Sequence, residues 1–321
     1  MTLLLEIATA RRVEVKERSV MLASLIHKIL LRAYKLGVKV FSRSEFANFY
    51  PLRVADTFVR HKLKSNVAEV NGHKMFLDTK DSLQLSTLGV YEPLETELVK
   101  NEVKKGDVVL DIGANIGYYT LIFARLVGNE GRVIAFEPDP DNFALLKRNT
   151  EINGYKNVRL IQKAVSGTTG NTKLYLSEDN KGDHRIYDVG NGRKSIEIEV
   201  IRLDDYFKNY HDKIDFIKMD IQGAEMGAIR GMTALLQSNE KIELTTEFWP
   251  IGLKNFGDVP EEYIKLLLTN GFKIYHIDEQ KKKIEPVDVA ELLKAYTPEK
   301  GNYTDLLCIK GARSLNLKLT Q

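Results

Sequence analysis

From Asp107 onward, short apolar runs rich in β-branched residues alternate with longer stretches in which apolar residues recur at helical spacing. Buried strands separated by helices are typical of a parallel sheet that helices cover on both faces. The pattern therefore predicts an α/β domain with a mostly parallel sheet. The predicted strands are VVLDI, RVIAF, VRLIQ, IDFIKM, IELTTEF, FKIYHID and DLLCIKG.

One segment interrupts this alternation. Two runs with a period of two residues, Thr172 to Ser177 and Ser195 to Ile201, flank a polar loop rich in Gly, Asp and Asn. This pattern predicts an inserted β-hairpin. Loops on such an insertion often lie over the carboxyl ends of the strands, where ligands bind in open α/β sheets.

The chain before Asp107 follows other patterns. Residues 1–67 have mostly helical patterning and basic character, and the lead-in after them predicts a hairpin-like start and a helix near Glu95 to Val103. We therefore divide the chain into an N-terminal helical extension, residues 1–67, a main domain, residues 68–313, and a polar C-terminal tail, residues 314–321.

The longest apolar stretch, Val20 to Phe41, is interrupted by charged residues and a histidine. A membrane-spanning helix would bury these groups at a cost of several kcal/mol, so no transmembrane segment is predicted. The spacing predicts an amphipathic helix that packs on the main domain or on a second subunit of a homo-oligomer, or that lies on a membrane surface; packing is favoured. The interrupting residues are His27, Lys28, Arg32, Lys35 and Lys39.

Composition narrows the class of protein. A chain of 321 residues with 43% hydrophobic and 28% charged residues predicts a soluble globular protein with one sizeable core. The formal net charge of +3 is too small to indicate a nucleic-acid partner. The single cysteine, Cys308, has no partner for an internal disulfide or a zinc cluster, and no signal peptide is evident. These features favour a reducing, cytoplasmic setting.

The run LDIGANIGYYT, Leu110 to Thr120, places an acid and two glycines between a predicted strand and the start of a predicted helix. Gly113 and Gly117 are four residues apart with no third glycine in register, so the dinucleotide fingerprint Gly-x-Gly-x-x-Gly is absent. Asp111 would also repel a pyrophosphate at this position. The turn instead favours a ligand that carries positive charge near Asp111.

Glu137 ends the next predicted strand, twenty residues after Gly117. A carboxylate at the tip of the second strand typically binds the two hydroxyls of an adenosine ribose. The ligand then has an adenosine, lacks a pyrophosphate and carries a cation near Asp111. S-adenosylmethionine, with its sulfonium and ammonium groups, meets all three conditions and is the predicted cofactor.

At this point the chain resembles a known family. The runs GDVVLDIGANIGYYTLIFA, VIAFEPDPDNFALLKRN, NVRLIQKAVS, IDFIKMDIQGAE and TEFWP are similar to the FkbM-like family of S-adenosylmethionine-dependent methyltransferases, over roughly Lys74 to Gly311. The resemblance implies the class I methyltransferase fold, a Rossmann-like sheet of seven mostly parallel strands with one antiparallel strand near its edge. It also implies O-methylation of a hydroxyl on a sugar, glycolipid, polyketide or related metabolite.

The resemblance further implies which residues contact the cofactor. Those at its methionine end are Asp111, Gly113, Asn115 and Gly117, the ribose residue is Glu137, and the residues that border the adenine are Ala164 and Val165. The chain departs from the family in DIQGAE, where the family more often has an acid and this chain has Gln222.

Methyl transfer is an in-line displacement, so an enzyme has to align the acceptor oxygen and, for an alcohol, remove a proton. Asp220 closes the fourth predicted strand, which lies beside the first strand in the sheet order that the resemblance implies. It is our first candidate for orienting or deprotonating the acceptor. The alternative, that Asp220 caps the helix starting near Ala224, has equal weight. We interpret Glu225 as an acid in the first turn of that helix.

Two further candidates lie elsewhere. Glu247 ends the fifth predicted strand, close to Trp249, which either walls a substrate pocket or, more commonly for such a residue, packs in the core. His184, on the inserted loop, has a suitable pKa for a base, although a solvated loop histidine is the commoner case. No metal site is predicted: the remaining histidines lack ligand spacing, and Asp220 with Glu247 alone is a weak signal.

Two other functions stay open from the residues alone. An RNA or protein methyltransferase would share the cofactor site, although the chain lacks a stacking tetrapeptide of the Asn-Pro-Pro-Tyr type. A noncatalytic module that binds S-adenosylmethionine would predict loss of the acids at the strand ends, which this chain retains. We expect the acceptor to be a small molecule or a glycan, selected by the insertion and the N-terminal extension.

Overall fold

The computed structural model describes residues 29–30, 65–209 and 213–311. The predicted helix from Val20 to Phe41 lies outside the described residues except for Ile29 and Leu30, which are helical and exposed. The predicted C-terminal tail also lies outside them. Among the residues that the structure describes, no helix combines the length and the apolar character needed to cross a bilayer.

The strands of the described residues fall into three sheets. The strands are β1 (Val67–Val70), β2 (His73–Phe76), β3 (Val108–Ile112), β4 (Arg132–Phe136), β5 (Val158–Ile161), β6 (Ala164–Val165), β7 (Gly170–Tyr175), β8 (Ser195–Ile201), β9 (Phe216–Met219), β10 (Ile242–Phe248), β11 (Lys273–Asp278), β12 (Lys283–Pro286) and β13 (Thr304–Lys310).

Helices connect most of these strands. Within the described residues they are α1 (Pro93–Glu102), α2 (Tyr118–Val127), α3 (Pro140–Ile152), α4 (Leu203–Tyr206), α5 (Glu225–Arg230), α6 (Thr233–Ser238), α7 (Pro250–Phe256), α8 (Pro260–Thr269) and α9 (Val289–Ala295). The hairpin β1–β2 and helix α1 match the predicted lead-in.

The main sheet has the strand order β12-β11-β13-β10-β9-β3-β4-β5. Strands β5, β4, β3, β9 and β10 are parallel, and β13 runs antiparallel between β10 and β11. The α/β class and the reversed strand near the edge are thus confirmed. The sheet has eight strands rather than seven, because Lys283–Pro286 turns back from β11 and pairs with it as an additional edge strand.

Side-chain alternation in the strands divides the core into two layers. Leu110 of β3 packs with helices α5 to α8 on one face, whereas Val109 packs with helix α2 on the other. Because helices cover both faces, every residue of β9 and of β10 is buried. The charged residues within these strands, such as Lys218 and Glu247, are therefore buried as well.

The inserted hairpin is present as predicted. Strands β7 and β8 pair antiparallel, with Thr172 opposite Ile198, and β6 pairs with β8 in parallel. We call residues 176–194, which connect β7 to β8, the inserted loop. The turns after β3, β4, β9 and β10 all lie at the carboxyl edge of the main sheet, which is where open α/β sheets bind ligands.

Candidate functional site

The turn after β3 is held in a conformation that requires glycine. Gly113 has φ +84°, and a Cβ at this position would overlap the backbone oxygen of Asp220 in the turn after β9. Gly117 has φ +95° and forms the N-cap of α2, where a Cβ would lie 2.8 Å from Leu146 Cδ1 of α3. The two glycines therefore let this turn pack against β9 on one side and α3 on the other.

Glu137 connects the turn after β3 with the turn after β4 through hydrogen bonds. Its Oε2 accepts a hydrogen bond from the Asn115 backbone N–H at 2.8 Å, and its Oε1 accepts from the Asp139 N–H at 2.8 Å. The side chain is buried, and burial raises the pKa of Glu137 to about 8. Each carboxylate oxygen retains a second acceptor position for a ligand.

A cleft lies between these turns, the β6 strand and the inserted loop; we call it the inner cleft. Its empty volume, including space that is open to solvent, is about 570 Å³. Five of the residues predicted to contact the cofactor line it: Gly113, Asn115, Glu137, Ala164 and Val165. Gly117 instead faces Leu146, so its contribution is to the packing of the turn.

A second space, which we call the outer cavity, adjoins the inner cleft. Its lining includes Asp111, Arg185, Asp220, Glu247, Trp249 and Tyr303. Gly113, Asn115, Asp220 and Gln222 line both spaces, so the two meet at the ends of β3 and β9. The structure thus brings Asp220, Glu247 and Asp111 to one cavity.

Asp111 is buried in β3, where the Thr120 hydroxyl donates to its Oδ2. Burial raises the pKa of Asp111 to about 6, although the Thr120 hydrogen bond and the charge of Lys218 act in the opposite direction. A cation next to Asp111 would restore its ionised form.

Asp220 follows β9 and faces both spaces. Its Oδ1 accepts a hydrogen bond from Gln222 Nε2 at 2.8 Å. Helix α5 has no side-chain cap, so the predicted alternative of a capping Asp220 is not observed. Glu225, the first residue of α5, fixes the turn instead, because its Oε1 accepts from the N–H groups of Ile221 and Gly223 at 3.1 and 3.2 Å.

Glu247 lies at the end of β10, opposite Asp305 of β13. Within the described residues its buried Oε2 has no hydrogen-bond partner. Burial, together with repulsion from Asp220 and Glu225, raises the pKa of Glu247 well above its ordinary value. A hydrogen-bonding ligand in the outer cavity would satisfy this oxygen.

Trp249 both packs and lines the outer cavity. A Cβ on Gly252 would overlap its indole, so the ring packs directly on the α7 backbone. The guanidinium carbon of Arg185, from the inserted loop, lies 4.6 Å from the indole centroid. Trp249 therefore packs on helix α7 and at the same time lines a cavity, and its role at a substrate pocket stays a prediction.

His184 is buried rather than solvated, with a side-chain exposure of 6%. Its Nδ1 accepts a hydrogen bond from the Ser177 backbone N–H at 2.9 Å, and burial lowers its pKa. It lines the inner cleft and not the outer cavity that contains Glu247. The structure therefore separates this candidate base from the candidate acceptor site.

Sequence reasoning missed a buried ionic network behind the outer cavity. Lys218 Nζ lies 3.2 Å from Glu95 Oε2 and 3.9 Å from Glu92 Oε2, and Tyr119 donates to Glu92 Oε2 at 3.0 Å. Burial opposes the charge on Lys218, but Glu95 and Glu92 raise its pKa well above the ordinary value. A lysine inside the apolar run IDFIKM was the available signal, because a buried lysine requires a paired acid.

A carboxylate cluster adjoins this network. Glu92, Glu95 and Asp305 each place one oxygen within 4.8 Å of the others. Lys218 already provides positive charge beside two of them. Ionic pairing with Lys218 thus accounts for two of the three acids of the cluster.

Two buried acids of the site, Glu137 and Glu225, predict an unusual dependence of the free energy of unfolding on pH. The raised pKa values of Glu137, about 8, and Glu225, about 7, mean that both groups take up protons on folding above their unfolded pKa near 4.5. Their stabilisation is complete below that value and is lost, at about 1.4 kcal/mol per pH unit for each group, as pH rises from there to the raised pKa of the group.

We therefore expect the ligand-free protein to melt several degrees lower at pH 8 than at pH 6, as measured by differential scanning calorimetry. Glu137→Gln should flatten this dependence, because it removes the group with the higher of the two pKa values. A melting temperature that rises from pH 6 to pH 8 would contradict the expectation.

Comparison with known proteins relates the chain to methyltransferases. Residues 111–274 match the family model described as the methyltransferase FkbM domain. The chain is 26% identical over 155 residues to methyltransferase sdnD of Sordaria araneosa, covering 39% of this chain and 60% of that protein. It is 29% identical over 143 residues to the hexuronic acid methyltransferase AglP of Haloferax volcanii, covering 44% and 56%.

Two further matches are of the same kind. The 2-O-methyltransferase NoeI of Sinorhizobium fredii is 28% identical over 165 residues, covering 44% of this chain and 66% of that protein. The crystal structure of methyltransferase FkbM from Methylobacillus flagellatus is 18% identical with a TM-score of 0.39, covering 72% and 55%. The chain thus spans between about half and two thirds of the length of these proteins.

Proposed function

We propose a function from one premise: the chain belongs to the FkbM family of S-adenosylmethionine-dependent methyltransferases. The proposed reaction is methyl transfer to a hydroxyl group on a sugar, glycolipid, polyketide or related metabolite, carried out by a domain at residues 68–313. The observation that carries the proposal is the meeting of two spaces at Asp220, one suited to a nucleoside and the other to an acceptor.

The residues of the inner cleft fit the cofactor. Asn142 Oδ1 and His184 Nε2 belong to residues that line it, and neither buried atom has a partner within the described residues. Buried polar atoms of this kind are normally satisfied, and the hydroxyls and ring nitrogens of an adenosine supply both donors and acceptors. The apolar side chains of Phe136, Ala164 and Val165 provide a surface for the adenine.

Each residue has a proposed role in binding. Glu137 accepts hydrogen bonds from the ribose hydroxyls while the backbone of Asn115 and Asp139 holds it in place. Asp111 supplies negative charge at the methionine end, where the sulfonium and ammonium groups are positive. When bound, S-adenosylmethionine supplies an electrophilic methyl group.

The acceptor hydroxyl is assigned to the outer cavity. Gln222 occupies Oδ1 of Asp220, so the other carboxylate oxygen, Oδ2, accepts the acceptor O–H and takes its proton. Glu247 orients a second hydroxyl of the acceptor through its unpartnered Oε2. The name of AglP, which specifies a hexuronic acid, supports a sugar as the acceptor, and the name of NoeI, which specifies a 2-O position, supports transfer to oxygen.

An RNA acceptor is less well supported. Of the charged residues that line the outer cavity, Lys218 is paired with Glu95 and Arg185 with Asp183. Within the described residues, Asp220 and Glu247 have no cationic partner closer than 4 Å. Phosphates would be repelled from such a cavity.

Binding and transfer experiments test the proposal. We expect S-adenosylmethionine and S-adenosylhomocysteine to bind in isothermal titration calorimetry and NAD to give no signal, because Asp111 repels a pyrophosphate. Incubation with methyl-labelled cofactor should label sugar or lipid fractions in preference to RNA and protein fractions. Tight NAD binding without S-adenosylmethionine binding would overturn the function, and labelling confined to RNA or protein would overturn the acceptor class.

A further inference from the structure

A short part of the inserted loop separates the two spaces of the site. Arg185 pairs with Tyr175 through two backbone hydrogen bonds, at 2.7 and 3.1 Å, so the loop is extended there. Successive side chains of an extended segment point to opposite sides. Asp183 and Arg185 line the outer cavity, whereas His184 and Ile186 line the inner cleft.

The hydrogen bonds of His184 define its donor atom. Nδ1 accepts from the Ser177 N–H, so the proton of the neutral ring is on Nε2. Nε2 has no hydrogen-bond partner within the described residues and lies 3.9 Å from Asp139 Oδ2, beyond hydrogen-bond distance. Asp139 in turn donates its backbone N–H to Glu137. An unused donor therefore lies at the Glu137 end of the inner cleft.

Asn142 of α3 provides an unused acceptor in the same region. Its Nδ2 donates to the backbone oxygen of Lys181 at 2.9 Å, and its backbone N–H donates to Asp139 Oδ2 at 2.9 Å. These bonds fix the amide orientation and leave Oδ1 without a partner in the described part of the chain. The residue is 2% exposed, so an unsatisfied oxygen here is costly in the absence of a ligand.

We propose that His184 and Asn142 form a donor and acceptor pair that binds the nucleoside of S-adenosylmethionine, presented by the face of the inserted loop that is turned away from the acceptor. This inference rests on the proposed function and assigns His184 to the cofactor instead of to proton transfer. The neighbouring residue Arg185 belongs to the opposite face and does not contact the nucleoside.

Isothermal titration with S-adenosylhomocysteine separates the two faces. His184→Ala should raise the dissociation constant about tenfold, the usual scale for one lost hydrogen bond, whereas Arg185→Ala should leave it within about twofold. Lys194→Ala is the matched surface control, because Lys194 is 84% exposed on the same loop and lines neither space. Equal effects of His184→Ala and Arg185→Ala would overturn the proposal.

Two amide variants of His184 distinguish a role in ligand binding from a purely structural role. His184→Asn retains an acceptor for the Ser177 N–H but lacks the distal donor, so it should keep the melting temperature and still bind weakly. His184→Gln places an amide donor near the position of Nε2 and should recover part of the affinity. Wild-type affinity in His184→Asn would overturn the inference, whereas absence of S-adenosylhomocysteine binding to the wild-type protein would overturn the proposed function itself.

Discussion

Glu137→Ala is expected to weaken S-adenosylhomocysteine binding by about 1–3 kcal/mol, or roughly 5- to 150-fold. Two backbone N–H groups fix the orientation of the Glu137 carboxylate. Its remaining acceptor positions are therefore already oriented before the ligand binds. The loss should be equal for S-adenosylmethionine and S-adenosylhomocysteine, because the two share the same ribose. Isothermal titration calorimetry with both ligands measures the effect.

Asp111→Asn provides the comparison for this variant. Asp111 lines the outer cavity and not the inner cleft, so its effect should be electrostatic and larger for S-adenosylmethionine, which alone carries the sulfonium. Glu130→Gln is the surface control, because Glu130 is 69% exposed and forms its ion pair with Lys105, away from both spaces. Unchanged affinity in Glu137→Ala would remove the ribose assignment, and unchanged affinity for both ligands in Asp111→Asn would remove the charge assignment.

Asp220→Asn should lower turnover by roughly 10²–10⁴, the scale for loss of a general base, while leaving most of the cofactor affinity. The amide keeps the size of the side chain but cannot take the proton of an acceptor hydroxyl. Single-turnover assays with labelled cofactor measure the rate, and titration with S-adenosylhomocysteine checks that the inner cleft is intact. Full activity in Asp220→Asn would contradict the assignment and make Glu247 the next candidate.

Gln222→Glu tests the role of the Asp220 carboxylate by changing the residue that donates a hydrogen bond to it. It replaces a hydrogen-bond donor to Asp220 Oδ1 with an acid, which would repel Asp220 when both groups are ionised. Turnover should fall less than in Asp220→Asn, because the base itself remains. Gln222→Ala removes the donor without adding charge, so its turnover should lie between the turnover of the wild type and that of Gln222→Glu.

Much of the fold was predictable from local pattern. Short runs rich in apolar and β-branched residues predict the buried strands. Because parallel strands end at one edge of a sheet, Asp111, Glu137 and Asp220 had to lie near each other. Asn115 lies close enough to donate a hydrogen bond to Glu137 because β3 and β4 end side by side at that edge. The extra strand β12 was missed because KIEP is short and three of its four residues are exposed, so it lacks an apolar pattern.

Other features depended on contacts between distant segments. The burial of His184 follows from the packing of the inserted loop against α3, for which the polar loop sequence gives no sign. Lys218 pairs with Glu95, more than one hundred residues earlier in the chain, and period or spacing carries no information about such a pair. The outer cavity is similarly assembled from residues spread between Ser82 and Tyr303.

The edge strand β12 also bears on how the protein behaves at high concentration. An exposed strand edge offers unpaired backbone groups to a second molecule and is a common starting point for aggregation. Here the edge is only four residues long, carries Lys283 and Glu285 and ends in Pro286, which has no N–H to donate. Intermolecular extension of the sheet is therefore disfavoured on this side.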